Sequence, residues 1–331
     1  MAMMDRIYQK AQERPARMVF PEAEEEKILL AASKAAQAGY IIPVLVGKLA
    51  SMTSECQRLG IDRDIFEFYD IEDEETVEEL ALSYETYPYA LFKGKSLRRR
   101  LSDSLYYAMV LTAIDKVDAV FAGLSHPTGE VILAGQSILG LQKNIETVSS
   151  CGILDIPGFE GAQSSLIAFG DAAVCQNPTS ENLSDIAIAT CDTVKSLLDW
   201  EPRCAFLSYS TQGSGTGELV DKVVKAVKIA QEKRPDLLIE GEFQLDTAMN
   251  PMVAKKKVLT DSKVAGQANV LIFPDLNAGN IGVKLLQQFA HADAYGPMIT
   301  GMNKVISDCS RSAPVSELVG NIALTAVRAM Y

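Results

Sequence analysis

The chain has 331 residues, of which 48% are hydrophobic and 22% are charged, an ordinary composition for a globular protein. Its 43 acidic and 31 basic residues give a net charge of −12, which disfavours nucleic acid as a partner because nucleic acids bind basic surfaces. No apolar run is long enough to span a membrane, and the charged segment 1–12 lacks the apolar core of a signal peptide. We expect a cytoplasmic protein without membrane contact, and the length favours two domains.

Helical and strand-like segments alternate along the chain. In chain order, the sequence predicts strand 17–21, helix 24–38, strand 41–46, weakly patterned peripheral elements over 54–84, helix 102–114, strand 119–121, strands 147–154 and 165–169, helix 182–198, strand 203–208, helix 218–233, strand 237–241, helix 247–256, strand 270–273 and helix 315–330. This order predicts an α/β fold with mostly parallel sheets covered by helices on both faces. Ligands of such folds bind where strands end, here in the loops after Phe121, Ser208 and Phe273.

Cysteines and histidines offer little material for a metal site. The six cysteines are scattered and form no C-x-x-C motif, which is typical of reduced thiols that pack in the interior. The sequence has only two histidines, His126 and His291, so a zinc site or a Ser-His-Asp triad is disfavoured. We predict no metal.

The segment 208–217 is rich in hydroxyl groups and glycine and leads directly into a predicted helix. Backbone N–H groups at the start of a helix, with hydroxyl donors nearby, suit an anion. The alternative is a flexible loop with a helix cap, and the glycine spacing matches neither a P-loop nor a dinucleotide fingerprint.

Two further segments carry polar and charged side chains. In 273–284, Asn280 offers a donor and an acceptor and Lys284 a positive charge, although the pattern also fits a polar turn before a helix. In 296–311, Ser310 and Arg311 adjoin the start of the last helix, and Glu317 lies in its first turn. Read without further context, these three are a turn residue, a surface charge and a capping carboxylate.

These three segments, in this order, resemble those of the phosphate acetyl/butyryltransferase family, and most closely its phosphate acetyltransferases. The resemblance extends to the runs MVFPE at 18–22, DAAV at 171–174, NPT at 177–179, RPDL at 234–237 and GEFQLD at 241–246. It implies two α/β/α domains, similar to the isocitrate/isopropylmalate dehydrogenase-like fold, with the active site in the interdomain cleft. The first domain would consist of 1–140 plus 296–331 and the second of 141–295. The family further implies a homodimer that associates through the second domain.

The resemblance implies the reversible reaction of acetyl-CoA and phosphate to acetyl phosphate and coenzyme A, by direct thiolate attack in a ternary complex. No tightly bound cofactor is implied, since coenzyme A and acetyl-CoA are substrates. Glu317, where the family has aspartate, would take the proton of the thiol, whose ordinary pKa is about 8.5. Ser310 would hydrogen-bond the developing charge, and Arg311 would hold the phosphate and carbonyl oxygens. The substrate-binding residues would be Thr128, Ser210, Thr211, Gly213, Ser214, Asn280 and Lys284.

Two positions depart from the family pattern. Leu133 and Gln288 stand where the family has arginines that serve an anionic substrate. Charged hydrogen bonds contribute about 1.5–3 kcal/mol each, so losing two would weaken binding roughly a hundredfold or more. The arginines at 98–100 either compensate or form a solvated basic patch.

Three other functions compete with acetyl transfer. The first is a phosphate butyryltransferase or an enzyme for another acyl chain. The second is a catalytically weak or inactive relative that binds a metabolite or a partner protein, which the two lost arginines and Glu317 would explain. The third, a metal-dependent decarboxylating dehydrogenase of related architecture, is disfavoured because no cluster of aspartates is evident near the predicted site.

Overall fold

The computed structural model of the chain describes residues 3–330. Its elements in chain order are α1 Met3–Glu13, β1 Ala16–Phe20, α2 Glu26–Gln37, β2 Ile41–Gly47, α3 Leu49–Leu59, a short 3-10 helix Arg63–Ile65, β3 Glu67–Asp70, α4 Glu74–Tyr84, α5 Gly94–Arg100, α6 Ser104–Ala113, β4 Ala119–Ala122, α7 Thr128–Leu139, β5 Ser149–Asp155, β6 Ala162–Gly170, α8 Ser180–Leu198, β7 Arg203–Leu207, α9 Glu218–Lys233, β8 Leu238–Phe243, α10 Leu245–Met249, α11 Pro251–Lys257, β9 Val270–Ile272, α12 Leu276–Phe289, β10 Asp293–Thr300, β11 Val305–Asp308 and α13 Val315–Arg328. The α/β fold predicted from the sequence is confirmed.

The chain divides into two compact units. The first unit takes in the chain up to Lys143 and again from Met302 onward, and the second consists of Asn144–Gly301. Among residues 3–330, no helix combines the length and the apolar character that crossing a membrane requires.

The five strands of the first unit are all parallel to one another, in the order β3-β2-β1-β4-β11. All four residues of β4 are buried, as expected for a strand covered on both faces. Helices α2 and α13 pack together on the sheet, and so do α6 and α7. Because β4 and β11 are parallel and Ala122 lies opposite Asp308, the carboxyl ends of these strands are neighbours. The segments that follow β1, β4 and β11 therefore meet at one edge of the sheet.

The second unit has strand order β10-β5-β6-β9-β7-β8. The pairs among β6, β9, β7 and β8 are parallel, whereas β5 is antiparallel to both β6 and β10. The strands predicted at 147–154 and 165–169 correspond to β5 and β6, which pair with each other. Phe169, Phe243 and Leu271 belong to the buried apolar core of this unit.

The prediction of a loop over 273–284 is wrong, because most of this segment is helix α12. Asp275 caps the helix by accepting a hydrogen bond from the N–H of Ala278. Two glycines, at 279 and 282, lower the helix propensity by about 1 kcal/mol each and obscure the helical pattern. Gly279 is nevertheless required, since a Cβ there would lie 2.3 Å from the carbonyl oxygen of Asp171. Close packing on the strand-end turn thus overrides propensity.

Two other boundaries also differ from the sequence predictions. The loop expected after Phe121 is short, because Thr128 is already the first residue of α7. The single helix expected over 247–256 is two short helices, α10 and α11, since Asn250 breaks the first and caps the second. Helix α9, by contrast, has the predicted limits of Glu218 and Lys233.

The packing of α12 generates a prediction for Gly279. Replacing it with alanine improves helix propensity but forces a methyl group against the backbone of Asp171, and the overlap is expected to cost about 1–3 kcal/mol. We expect the thermal unfolding midpoint of Gly279→Ala to fall by about 2–4 °C or more. The matched control is Gly129→Ala in α7, where nothing lies within 4 Å of the added Cβ and the midpoint should hold or rise. Equal effects of the two substitutions would contradict the packing argument.

Candidate functional site

A tight turn follows β11 and carries Ser310 and Arg311 on its surface. The hydroxyl of Ser310 lies 2.9 Å from that of Ser312, and the carbonyl oxygen of Ser310 accepts the N–H of Ala313 at 3.0 Å. Lys27 on α2 donates to the carbonyl oxygens of Arg311 and Ala313 at 3.3 and 3.2 Å. The backbone of the turn is therefore held from inside the unit while its side chains face outward.

Arg311 and Glu317 are both exposed. Neither side chain makes a hydrogen bond or an ion pair with another residue of 3–330. Glu317 lies in the first turn of α13, where a carboxylate is favoured by the helix dipole. The first unit thus presents a guanidinium and a carboxylate, six positions apart in the sequence, that have no internal partner.

A buried glutamate organises the neighbouring loop. The side chain of Glu22, which follows β1 and is only 4% exposed, accepts hydrogen bonds from the four consecutive N–H groups of residues 123–126 at 2.8–3.2 Å. It also lies 2.8 Å from Nδ1 of His126. The loop after β4 is therefore wrapped around this one carboxylate.

These hydrogen bonds control the titration of Glu22. Burial alone would raise its pKa, but the bonds from His126, Leu124 and Ser125 outweigh burial and lower the pKa to about 2. The hydrogen bond to Glu22 in turn raises the pKa of His126 above its usual value. A lowered carboxyl pKa stabilises the fold above the ordinary carboxyl range, and the stabilisation is lost as the pH falls through about 2.

Thr128 lies on the surface at the start of α7, and its hydroxyl donates to Oδ2 of Asp308 at 2.6 Å. Asp308 is the last residue of β11 and precedes the turn with Ser310 and Arg311. Burial raises the pKa of Asp308 to about 6, although the hydrogen bond from Thr128 and the charge of Arg311 act in the opposite direction. The edge of the first unit therefore holds a second buried carboxylate beside Glu22.

A cavity of about 290 Å³ opens at the carboxyl ends of β1 and β2. Glu22, Lys48, Ser104, Ser125 and His126 are among its lining residues. Lys48 is already paired with Glu72 at 2.7 Å, so the cavity does not offer it as a free cation.

In the second unit, the loop 208–217 is built around a further buried glutamate. Glu242, at 3% exposure, accepts the hydroxyl of Ser210 at 2.7 Å and the N–H of Gly213 at 2.8 Å. The same Ser210 oxygen accepts the N–H of Gly215 at 2.9 Å. The sequence predicted that the donors of this loop bind an anion. In the structure, the Ser210 hydroxyl and the Gly213 N–H are bound to the side chain of Glu242.

The other two residues expected in this loop differ in exposure. Thr211 is buried, and its hydroxyl oxygen accepts the N–H of Gln244 at 2.9 Å. Ser214 is exposed, and its hydroxyl oxygen accepts the N–H of Thr211 at 2.9 Å. Thr211 therefore supports the loop from beneath, and Ser214 is the hydroxyl at its surface.

Asn280 and Lys284 lie one turn apart on an exposed side of α12. The side-chain amide of Asn280 donates to the carbonyl oxygen of Ala172 at 3.2 Å. The turn 171–175 is itself held by Asp171. Its carboxylate accepts the backbone N–H groups of Ala173 and Cys175, both at 2.8 Å. It also accepts the hydroxyl of Ser150. Lys284 makes no hydrogen bond or ion pair with another residue of 3–330 and is available as a cation.

The two positions at which the family resemblance implies arginines, 133 and 288, are both on the surface. Leu133 on α7 is 59% exposed, and Gln288 on α12 is exposed. Of the arginines at 98–100, Arg98 is paired with Glu78 and Glu85, and the guanidinium of Arg100 stacks 3.6 Å from the centre of the Phe92 ring. Arg99 alone of the three is exposed.

Within the first unit, the structure brings Thr128, Ser310 and Arg311 to one strand-end edge, together with Glu317 at the start of α13. Within the second unit it gathers Ser210, Thr211, Gly213 and Ser214 in one loop and puts Asn280 and Lys284 on α12. Sequence reasoning missed Glu22, Asp308 and Glu242, and the only available signal was an acidic residue immediately after or inside an apolar strand. Among residues 3–330, no group of three or more histidine, cysteine, aspartate or glutamate side chains could hold a metal ion.

Comparison with known proteins identifies close relatives along the whole chain. A family model described as phosphate acetyl/butaryl transferase matches residues 2–326. The phosphate acetyltransferase of Clostridium acetobutylicum is 39% identical over 337 residues, covering 99% of each chain. The solved structure of the EutD phosphotransacetylase from Staphylococcus aureus has 30% identity and a TM-score of 0.88, covering 98% of this chain and 99% of its own.

A more distant likeness concerns the fold alone. The 4-hydroxythreonine-4-phosphate dehydrogenase of Klebsiella pneumoniae has a TM-score of 0.55 at 10% identity, covering 95% of this chain and 99% of its own. This agrees with the predicted similarity to a dehydrogenase-like fold.

Proposed function

The chain belongs to the phosphate acetyl/butaryl transferase family and is an acyltransferase, and from this premise we propose how its residues transfer acetyl between coenzyme A and phosphate. The reaction converts acetyl-CoA and phosphate to acetyl phosphate and coenzyme A, and it is reversible. Both substrates of the forward reaction are anions, so the protein must offer cations in spite of its own charge of −12.

The observation that carries the proposal is the pair of unpartnered charges at the strand-end edge of the first unit. Several cations of this chain, such as Arg98 and Arg234, are paired with carboxylates. Arg311 is not, although its turn is fixed by Lys27. A fixed backbone with an uncommitted guanidinium is suited to bind an oxyanion without first breaking an internal ion pair.

In the direction of acetyl-CoA formation, the thiol of coenzyme A loses its proton to Glu317 and attacks the carbonyl carbon of acetyl phosphate. The carbon–sulfur bond forms, the carbon–oxygen bond to phosphate breaks, and phosphate leaves with the electron pair. Arg311 holds the phosphate and carbonyl oxygens, and Ser310 donates to the oxygen on which charge develops. Glutamate in place of the family's aspartate extends the base by one methylene, and its exposed position gives the longer side chain room to adjust.

The second unit contributes Ser214 in the loop 208–217 and Lys284 on α12 as exposed substrate contacts, with Asn280 one turn from Lys284 on the same helix. The role of Ser210, Thr211 and Gly213 is indirect. Their hydrogen bonds hold the loop to Glu242 and Gln244 and so keep the loop in place. Leu133 and Gln288 remove two cations from the family pattern, so we propose weaker binding of the anionic substrates than in relatives that have both arginines.

The proposal predicts the behaviour of two variants in a phosphate-dependent assay of thiol release from acetyl-CoA. Arg311→Ala should lower kcat/KM by about 10²–10³, because an oxyanion loses its donor. Glu317→Gln should lower kcat by about 10²–10⁴, because the thiol loses its base. Arg6→Ala and Glu232→Gln, two exposed residues away from these turns, serve as matched controls and should remain at the wild-type rate.

The outcomes separate the competing functions. Wild-type rates in either site variant, with folding intact, would remove that residue's role. A clear preference for butyryl-CoA over acetyl-CoA would replace acetyl by a longer acyl group. No phosphate-dependent thiol release from the folded wild-type protein would favour a binding protein without catalysis.

We propose that the chain is a homodimer that associates through the second unit. Supporting this, helix α12 exposes a row of apolar side chains at Ile281, Leu285 and Phe289, which are 50–80% exposed and spaced at successive helical turns. The inner side of the helix is different, with Gly279 buried and Val283 and Leu286 packed on the core.

Light scattering coupled to gel filtration tests this assembly. Phe289→Asp puts a charge into the proposed interface and should shift the mass from two chains to one. Leu91→Asp is the control, because Leu91 is 67% exposed but lies in the first unit, and this variant should stay dimeric. A wild-type mass of one chain, or a dimeric Phe289→Asp, would refute the assignment of the interface.

A further inference from the structure

Asp308 is a buried carboxylate with only one of its two oxygens hydrogen-bonded among residues 3–330. It ends β11, is 9% exposed, and uses Oδ2 to accept the hydroxyl of Thr128. Its other oxygen, Oδ1, is buried without a hydrogen-bond partner among residues 3–330. Glycine at 123 leaves room for this oxygen, since a Cβ there would lie 2.2 Å from Oδ1.

The surroundings of this carboxylate are mixed in charge. Glu22 at the end of β1 raises its pKa and Arg311 in the following turn lowers it, while His126 in the adjoining loop is engaged by Glu22. Cys309, next in sequence, is itself buried, and burial raises the pKa of its thiol. The charge of Glu317, at the start of α13, also raises the pKa of this thiol. No cation is hydrogen-bonded to Asp308 among the described residues.

An ionised carboxylate with one bare oxygen destabilises the folded state. The pKa of Asp308 in the folded protein, about 6, is above the ordinary aspartate value of about 3.9, so folding favours the protonated form. The contribution of Asp308 to stability is thus fully present below about pH 4 and is lost as the pH rises through about 6. A neutral asparagine of the same shape would avoid this loss, so stability alone does not account for the acid.

We infer that Asp308 is a positioning residue, whose carboxylate fixes Thr128 and the start of α7 on one side and attracts the Arg311 guanidinium on the other. The inference rests on the proposed function, because Arg311 is the anion-binding group of that proposal. Thr128 then acts by holding this carboxylate in place through its hydroxyl group. Protonation of Asp308 removes the negative charge that acts on the nearby Arg311 guanidinium, so the active form is the ionised one.

The test compares wild type with Asp308→Asn, which keeps an oxygen acceptor for Thr128 but removes the charge. We expect kcat to fall at least about tenfold, with the KM for acetyl-CoA changed much less, and the acid limb near pH 6 in the wild-type profile to disappear. The thermal midpoint of the variant should exceed that of wild type at pH 7.5, and the two should converge near pH 4. Asp115→Asn, which alters an exposed aspartate of the same unit, is the matched control and should change neither profile.

Thr128 supplies a second readout. Thr128→Val removes the hydrogen bond that lowers the pKa of Asp308, so the acid limb should move to higher pH, whereas Thr128→Ser should restore the wild-type limb. An Asp308→Asn variant that keeps the wild-type rate and pH profile would overturn the inference. So would one that loses activity together with thermal stability at pH 7.5, because that is the result of a purely structural role.

The midpoints also separate this inference from the proposed function. If the folded wild-type protein released no thiol from acetyl-CoA, the proposed acetyl transfer would fail, and with it the role of Asp308 in that reaction. A variant midpoint above that of wild type at pH 7.5, and equal to it near pH 4, would still establish that the buried charge is held at a cost in stability. Without that pH-dependent gap, the inference fails whatever the activity.

Discussion

A buried carboxylate that accepts backbone N–H groups is the interaction on which the candidate site depends. Glu22 follows β1 and Glu242 lies near the end of β8, and each accepts hydrogen bonds from a glycine-containing loop. Burying such a charge costs several kcal/mol, which hydrogen bonds of about 1.5–3 kcal/mol each offset only when most of them form together. A loop that moved away would leave a bare charge in the interior, so these loops are fixed. Asp171 holds the turn 171–175 in the same way.

This arrangement explains how an acidic protein can bind anionic substrates. The internal carboxylates occupy many of the loop donors, including the Ser210 hydroxyl and the Gly213 N–H. Under the proposed function, affinity for an external anion comes from side chains without an internal partner, such as Arg311 and Lys284.

The sequence predicted the elements whose signals are local. Helix α9 has a clear apolar periodicity after a glycine-rich segment, and the strands from β4 to β9 stand out as short apolar runs. Helix α12 was missed because Gly279 and Gly282 weaken the local signal, while the reason for Gly279 is contact with Asp171, more than a hundred positions earlier.

The residues of the candidate site also differ in whether their signal in the sequence is local. Ser310, Arg311 and Glu317 were proposed from a motif that lies within a short stretch of chain, and their roles stay a prediction. Glu22 and Asp308 could not be proposed in this way, since each acquires its role from partners at 123–126 or 128 that only the parallel sheet brings near. The loop 208–217 was correctly seen as donor-rich, but no local pattern revealed that Glu242 would take up those donors.

Hydrogen–deuterium exchange of the loop after β4 in Glu22→Gln tests most directly whether a buried carboxylate holds the site together. The amide turns one acceptor into a donor facing other N–H groups, so residues 123–126 should exchange at least about tenfold faster, a loss of roughly 1.4 kcal/mol. Glu24→Gln, a change at a nearby exposed glutamate, should leave the exchange unaltered. Unchanged exchange at 123–126 in folded Glu22→Gln would contradict the account.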